Sequence, residues 1–459
     1  MRSRDGGRGR VDMTRATGAG LLVLAGLMLA SGADAQTASS VEPPVAYVVK
    51  PGDTLIGLAS RYMNRTGDYR AVQKANRVAQ PTRLRPGSQL NIDPNLLKST
   101  PIAASLSAFT GPVIIETNGQ RTPARVGMPL SEGQVVSTGP GAFATFELED
   151  ASRVTLPSNT RVRISKLRQV LINNAPQRVF QLDQGKSTIS ATPTQTPGAR
   201  FEVRTPVSVS AVRGTEFRVG ASGDGAQTEV LKGAVGVDAG QVASGAPPVA
   251  AGFGVSASAG GVGAPVVLLP GPKMGPGGQT QSDAIVRFTV EPVQGAAAYR
   301  LLLARDAGFV DIFAEARTQT TSRERPTADF SQLENGTYFV RLTAIDPGGL
   351  EGFPSDYSFD RDLNTLDAGA PADSREGKHR KFLFRWSAAG DGVRNYRFQL
   401  FSDAEAKVAV VDQPGLTEPQ LTLTDLPPGS YSWRVAAVRF KDGAVTEKVG
   451  TLQQLQIGK

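Results

Sequence analysis

The sequence predicts a mainly β, multidomain protein with one small α+β module near its N-terminus. Three observations carry this. Beyond residue 110, apolar and polar residues alternate with a period of two, and Gly, Pro, Asn and Asp clusters separate the runs. Helix-like periodicity is confined to a short stretch within 47–92. In the last third the chain repeats itself, with Tyr299 answered by Tyr396 and Tyr338 by Tyr431.

Residues 1–35 read as an export signal. Arg10 and Arg15 supply positive charge, 21–30 is a short apolar run, and Ala33-Asp34-Ala35 is a small-x-small cleavage site before Gln36. That run is shorter than the roughly 20 residues a membrane-spanning helix needs. Met13 gives a more ordinary signal start than Met1, so translation is expected to begin there. Cleavage after Ala35 removes five Arg and three Asp, taking the formal charge from +8 to +6. This mild basic excess, with no basic run or interleaved aromatic platform, argues against nucleic acid as a partner. The chain has no cysteine, which excludes disulfides, a lipid-modified cysteine and cysteine-based catalysis. No later apolar stretch is long enough to cross a membrane, and a periplasmic location is expected.

The stretch 47–92 reads as strand, helix, helix, strand. Tyr47-Val48-Val49 leads through Lys50-Pro51-Gly52 into a helix that Asp53 or Thr54 caps, with Leu55, Leu58, Ala59 and Tyr62 on one face. Asp68 is the expected cap of a second helix, with Ala71, Val72 and Ala75 inward and Asn76 as a left-handed C-terminal cap. Pro86-Gly87 then turns the chain into a second strand at Leu90-Asn91-Ile92.

Those residues resemble the LysM module, through Tyr47-Val48-Val49, Gly52-Asp53-Thr54-Leu55, Ile56, Ala59, Asn76, Leu84, Pro86-Gly87 and Leu90. The resemblance covers about a tenth of the chain, 46–94. It implies binding of N-acetylglucosamine-containing glycan, in bacteria peptidoglycan, in a groove between two loops. Carried over by motif position, the glycan-binding residues are Gly52, Asp53, Thr54, Leu55 and Ile56 in the first loop and Arg83, Leu84, Arg85 and Pro86 in the second. Helix-start N–H groups and a loop Arg suit hydroxyl and acetamido groups.

Residues 95–109 read as a polar connector. In the β region that follows, Ala142, Ala144, Phe146 and Leu148 share one strand face, with Phe143, Thr145 and Glu147 on the other; Val162 and Ile164 alternate with Arg161 and Arg163. The pattern predicts a sandwich or roll. Thr205-Pro206 followed by Arg213-Gly214-Thr215-Glu216-Phe217 resembles the FecR domain, with support from Ser137-Thr138-Gly139, Gln184-Gly185-Lys186 and Lys232-Gly233-Ala234. The domain is expected over 111–270, with Gly214 at a bulge or turn and Val207, Val209, Phe217 and Val219 in the core. In iron-signalling relatives such a domain stands outside a membrane helix and an internal anti-sigma segment; neither is visible here, so a ligand or protein-partner module is the expectation. Arg213 and Glu216 are the candidate partner-binding residues, and an Arg–Glu pair bracing the turn is the plainer reading.

Residues 271–282, rich in Gly and Pro, are expected to be a disordered linker. Beyond it, 283–365 and 379–457 resemble fibronectin type III or related immunoglobulin-like sandwiches, and each later strand begins Gly-x-Tyr. Trp386 and Trp433 are read as core residues ahead of a carbohydrate platform.

The residue inventory argues against catalysis. One histidine, His379, lies in a charged run, which excludes zinc held by two or three His and leaves a Ser-His-Asp site without a strand-end pocket. No phosphate-binding loop is present, and no cofactor or metal is implied. The sequence thus points to a non-catalytic envelope scaffold anchored on peptidoglycan. The alternative is a sensor or adaptor whose FecR-like domain recognises another envelope protein; a glycan hydrolase using unrecognised carboxylates is the third reading.

Overall fold

The structure is a computed structural model that describes residues 44–240, 247–320, 325–331, 333–402 and 406–458. The export-signal reading lies outside the described residues. Among those described, no helix is long and apolar enough to cross a membrane.

The N-terminal module is built as the pattern requires. Strand β1 (Val45–Val48) pairs antiparallel with β2 (Gln89–Ile92), and helices α1 (Leu55–Tyr62) and α2 (Tyr69–Ala75) lie between them in sequence. Leu55, Leu58 and Ala59 are fully buried against Val45, Tyr47, Val72, Leu90 and Ile92. Three expectations for α2 are corrected. Asp68 makes no capping bond to this helix, because its carboxylate accepts from Arg65 N (3.0 Å) instead. Ala71 and Ala75 are exposed and only Val72 is buried, because seven residues present a single turn to α1. Asn76 ends the helix at φ −98°, with its side chain bonded to Val72 and Asn91, and the left-handed position falls on Arg77 at φ +52°.

The expected connector is instead structured. Ser99–Pro101 pairs with Arg161–Val170, and Ala104–Thr110 pairs with Phe143–Leu148. Ala104, Leu106 and Ala108 alternate inward, a period-two signal that the surrounding Ser and Thr obscured. The small module also packs directly on its neighbour, since Val170 and Ile172 join its core.

The central domain has two sheets that share one long strand, Ala175–Ser190. Its first part pairs with Arg161–Val170 up to Gln184, and its second pairs with Glu216–Ser222 from Gly185 onward. Gly185 marks the crossing: its φ is +91°, and a Cβ there would lie 2.4 Å from the Thr160 hydroxyl. No other residue type fits that corner. A single apolar core fills the space between the sheets, with Phe146, Phe180 and Phe201 packed in sequence at 5.7 and 5.6 Å.

The segment expected to be a disordered linker is paired. Gly275 N donates to Thr289 O (2.7 Å), Glu291 N donates to Lys273 O (2.9 Å), and Thr280–Gln281 runs parallel to Ser355–Arg361. Its glycines serve close packing, since a Cβ on Gly271 would meet the Ser355 hydroxyl at 2.3 Å.

Two sandwiches follow. In the first, a five-stranded sheet carrying Ala298–Ala304 and Gly336–Ile345 faces the pair Val286–Thr289 and Thr327–Phe330. The second repeats the arrangement around Val393–Phe401 and Gly429–Lys441, but its strands begin upstream of 379, at Thr365–Ala368 and Ala372–Glu376. The repeat extends to one hydrogen bond: Tyr338 Oη donates to Glu334 O (3.3 Å) and Tyr431 Oη to Pro427 O (3.0 Å). Trp433 is fully buried between Phe384 and Phe398, and Trp386 packs on Tyr396. They are core, not a platform.

Candidate glycan-binding site

Two Pro-Gly turns shape one end of the small module. In Lys50-Pro51-Gly52-Asp53, Asp53 N donates to Lys50 O (3.1 Å) and Gly52 takes φ +87°; in Arg85-Pro86-Gly87-Ser88, Ser88 N donates to Arg85 O (3.1 Å) and Gly87 takes φ +82°. Pro at the second position and Gly at the third is the chemistry of a type II turn. The turns abut, because Gly87 N donates to Val49 O at 2.8 Å.

The helix start is tied to the second loop. Thr54 accepts from Gly57 N (3.0 Å), and Leu55 N donates to Pro81 O (2.8 Å). Of the first-turn donors, the Ile56 N–H alone has no partner among the described residues. Ile56 is also 39% exposed and Gly52 has no atom near where a Cβ would stand. An apolar side chain, a free N–H and open backbone thus share one edge, with Arg83, Arg85 and Pro86 exposed on the facing loop.

The other expected site residues have internal work. Leu55 is fully buried, because the i, i+3, i+4 face that it heads is the core face. Leu84 packs partly buried on the same core. Asp53 accepts from the Tyr47 hydroxyl (2.8 Å) and Lys50 N (2.8 Å) and pairs with Arg61 (3.2 Å). Burial pushes its carboxyl up, but the Lys50 N–H, Tyr47 and Arg61 outweigh this and hold it below the usual carboxylate range. Burial, then the bond to Asp53, pushes the Tyr47 phenol up to about 12. Asp53 is a brace for the turn.

The Arg-Gly-Thr-Glu-Phe stretch is placed differently from expectation. Gly214, at φ +69°, is a turn pressed on Pro193, and Phe217 and Val219 are fully buried. Val207 and Val209 are only half-buried, since Ser208 and Ser210 take the inward positions. Among the described residues no ion pair joins Arg213 to Glu216. Arg213 is exposed, whereas Glu216 and the neighbouring Arg218 face the chain's own first sandwich.

That junction holds residues the sequence reading missed. Arg218 Nη1 donates to the carbonyls of Glu351 and Gly352, both at 3.0 Å. Glu351 N donates to Glu229 Oε1 (3.1 Å), while the Glu351 carboxylate accepts from Arg300 (3.3 Å) and Thr343 (2.8 Å). Glu229 and Glu351 are each about fully buried. Burial pushes the Glu229 carboxyl up; for Glu351 the same burial is outweighed by Arg218, Arg300 and Lys186, which hold its carboxyl far below the usual range. No local pattern marks Glu229, since its strand also carries Gln227, Thr228 and Lys232.

His379 Nδ1 lies 2.6 Å from Asp425 Oδ2 with both side chains exposed on the second sandwich. Among the described residues no cluster of three or more His, Asp or Glu side chains is placed to hold a metal ion.

Comparison with known proteins divides along the same lines. The model of the LysM domain matches residues 47–93, and that of the FecR protein family matches 134–236. Comparison with characterised proteins gives no match. Among solved structures, a protein proposed to be an anti-sigma factor from Parabacteroides distasonis ATCC 8503 is 19% identical, with 27% of this chain and 55% of that one covered at a TM-score of 0.23. The chain thus spans about half the length of that protein. Fibronectin(III)-like modules of Clostridium thermocellum CbhA are 13% identical, covering 40% and 93% at a TM-score of 0.18; a two-domain fibronectin type-III segment of chicken tenascin is 13% identical, covering 41% and 99% at 0.20. The sandwich assignment rests on the sheets described above and not on these likenesses. The two matched domains are of non-catalytic kinds, and the chain carries a LysM domain followed by a FecR domain.

Proposed function

We propose that the chain is a non-catalytic protein of the bacterial cell envelope that binds N-acetylglucosamine-containing glycan through its LysM domain and holds the FecR domain and two sandwiches at the wall. The observation that carries this is the edge formed by Gly52, the exposed Ile56 with its free N–H, and the facing Arg83 to Pro86 loop. A sugar laid there meets an apolar contact for its acetamido methyl, an N–H for the acetamido carbonyl, and guanidinium donors for hydroxyls. The export-signal pattern of 1–35 supports a periplasmic location.

Titration of the protein with tetra-N-acetylchitotetraose tests the groove. Arg83→Ala removes hydrogen bonds of about 1 kcal/mol, so binding weakens about fivefold. Ile56→Asp places a charge against the acetamido methyl and abolishes binding. Unchanged affinity in both variants would move the site elsewhere. The alternative is a sensor or adaptor whose FecR domain recognises another envelope protein; Arg213 stays exposed for such a contact, while Glu216 faces the chain's own sandwich.

A further inference from the structure

The LysM domain carries the net charge of the molecule. Residues 44–98 hold nine Lys or Arg and three Asp, a net +6, which equals the net +6 of the whole chain after residue 35. The remainder of that chain therefore sums to zero. All three carboxylates are committed inside the module. Asp53 is held by Tyr47, the Lys50 N–H and Arg61, Asp68 by the Arg65 N–H (3.0 Å), and Asp93 by the Asn95 N–H and side-chain amide (2.9 and 3.0 Å). Arg61 is thereby paired, and Lys98 donates to the Ser60 carbonyl (2.8 Å). Among the described residues the side chains of Lys50, Arg70, Lys74, Arg77, Arg83 and Arg85 have no ion-pair or hydrogen-bond partner, and all six are exposed.

Three of these six form a stripe outside the groove. Arg70 and Lys74 stand at i and i+4 on α2, and Arg77 follows at i+7, just past the helix end. Ala71 and Ala75 lie exposed beside them, so no bulky side chain on that flank keeps a ligand from the helix surface. The arrangement works against the helix itself. Like charges at i and i+4 repel. Arg70 also lies in the first turn, where the helix dipole disfavours a cation, and that turn has no acid to offset it. Its guanidinium rests over the neighbouring Tyr69 ring at 5.5 Å. A stripe that weakens its own helix and meets no acid within the module is complementary to an anion outside it.

The stripe leads into the groove. Arg77 precedes Pro81 by four residues, and the Pro81 carbonyl holds Leu55 N at 2.8 Å. The Arg77 backbone therefore lies within about 14 Å of Pro81, where the second loop meets the start of α1. Lys50 and Arg85 stand in the two abutting Pro-Gly turns. One extended strand can touch both the sugar-binding edge and α2, whereas a flat bilayer surface cannot enter between the two loops.

We propose that Arg70, Lys74 and Arg77 bind the carboxylates of an acidic glycan whose uncharged sugars lie in the groove, so that the LysM domain prefers acidic to neutral N-acetylglucosamine strands. This rests on the groove reading and adds a specificity to it. The test titrates the full mature chain calorimetrically with three tetrasaccharides. One is neutral tetra-N-acetylchitotetraose, the second alternates N-acetylglucosamine with N-acetylmuramic acid, and the third is the second with its carboxylates amidated. The free acid should bind about tenfold tighter than the other two at about 0.05 M salt, and the preference should shrink to about twofold at about 0.5 M. The triple variant Arg70→Gln/Lys74→Gln/Arg77→Gln removes the charges and keeps good helix formers on α2. It should bind all three sugars alike, with the neutral one at parental affinity and an unfolding midpoint near that of the parent. Equal binding of the three sugars by the parent, or an acid preference that survives in the triple variant, overturns the proposal and leaves the groove standing. Binding of none of the three overturns the groove reading as well. Vesicles of phosphatidylglycerol and phosphatidylcholine that bind the parent and not the triple variant, with no acid preference among the sugars, would assign the stripe to a lipid surface and overturn the glycan assignment.

Discussion

Thr54 and the two glycines Gly52 and Gly214 show how single residues set the local backbone. Thr54 supplies the first hydrogen bond of α1, so Thr54→Ala should cost about 1 kcal/mol in urea unfolding of this module. Gly52 and Gly214 both have positive φ, +87° and +69°, but their surroundings differ. A Cβ on Gly52 meets nothing, and Gly52→Ala should cost only the left-handed strain of about 1–2 kcal/mol. On Gly214 it would stand 2.6 Å from Pro193. Gly214→Ala should therefore destabilise the FecR domain by clearly more, about 3 kcal/mol with the overpacking term added. Equal losses in the two variants, read from denaturation midpoints, would contradict this. At this scale the sequence was informative where turn and cap chemistry is local: Thr54 and both Pro-Gly turns were legible. It misled at Leu55 and Asp53, because a motif position does not say whether a side chain points to the ligand or into the module.

At the scale of elements, contacts between domains decide which strand faces are buried. Phe143 alternates out of the FecR core yet is only 2% exposed, because Leu302, Phe309 and Ile312 of the first sandwich cover it. Period-two reasoning predicts the inner face correctly and is silent on what covers the outer one. The same junction carries the Glu351–Arg300 pair, in which both side chains are almost fully buried. Glu351→Ala leaves Arg300 with less compensation and should cost about 3–5 kcal/mol, separating the unfolding of the FecR domain and first sandwich into two calorimetric transitions. One unshifted transition would argue against a rigid junction. A second clamp joins the sandwiches: Asp362 accepts from Arg439 (3.2 Å) and Lys441 (2.8 Å). The bond from Arg439 is the chief reason its carboxyl is held down to about 2. A folded pKa below the unfolded value near 4 means this contribution is present above pH 4 and lost as pH falls from about 4 to about 2. Asp362→Asn should flatten that part of the stability-against-pH curve.

For the whole molecule, class and order of modules were legible, since LysM, FecR and the repeated sandwiches each carry their own local pattern. Their joints were not. Residues 95–109 and 271–282 look like linkers because Ser, Thr, Gly and Pro are the residues of loops, yet here they are strand edges and close-packing positions. Glu216 and Arg218 face the next domain of the same chain, a long-range contact that no local pattern encodes. LysM shares core residues with the FecR domain, and the FecR domain is bonded to the first sandwich. Anchoring at one end therefore sets the position of everything attached to it.

Co-sedimentation with purified peptidoglycan sacculi tests that anchoring most directly, comparing the mature chain with Ile56→Asp and with a shortened chain lacking 36–94. The mature chain is expected to pellet with the sacculi, and both altered chains to stay largely in solution. If all three pellet equally, the wall contact lies in the β domains and the LysM groove is not the anchor.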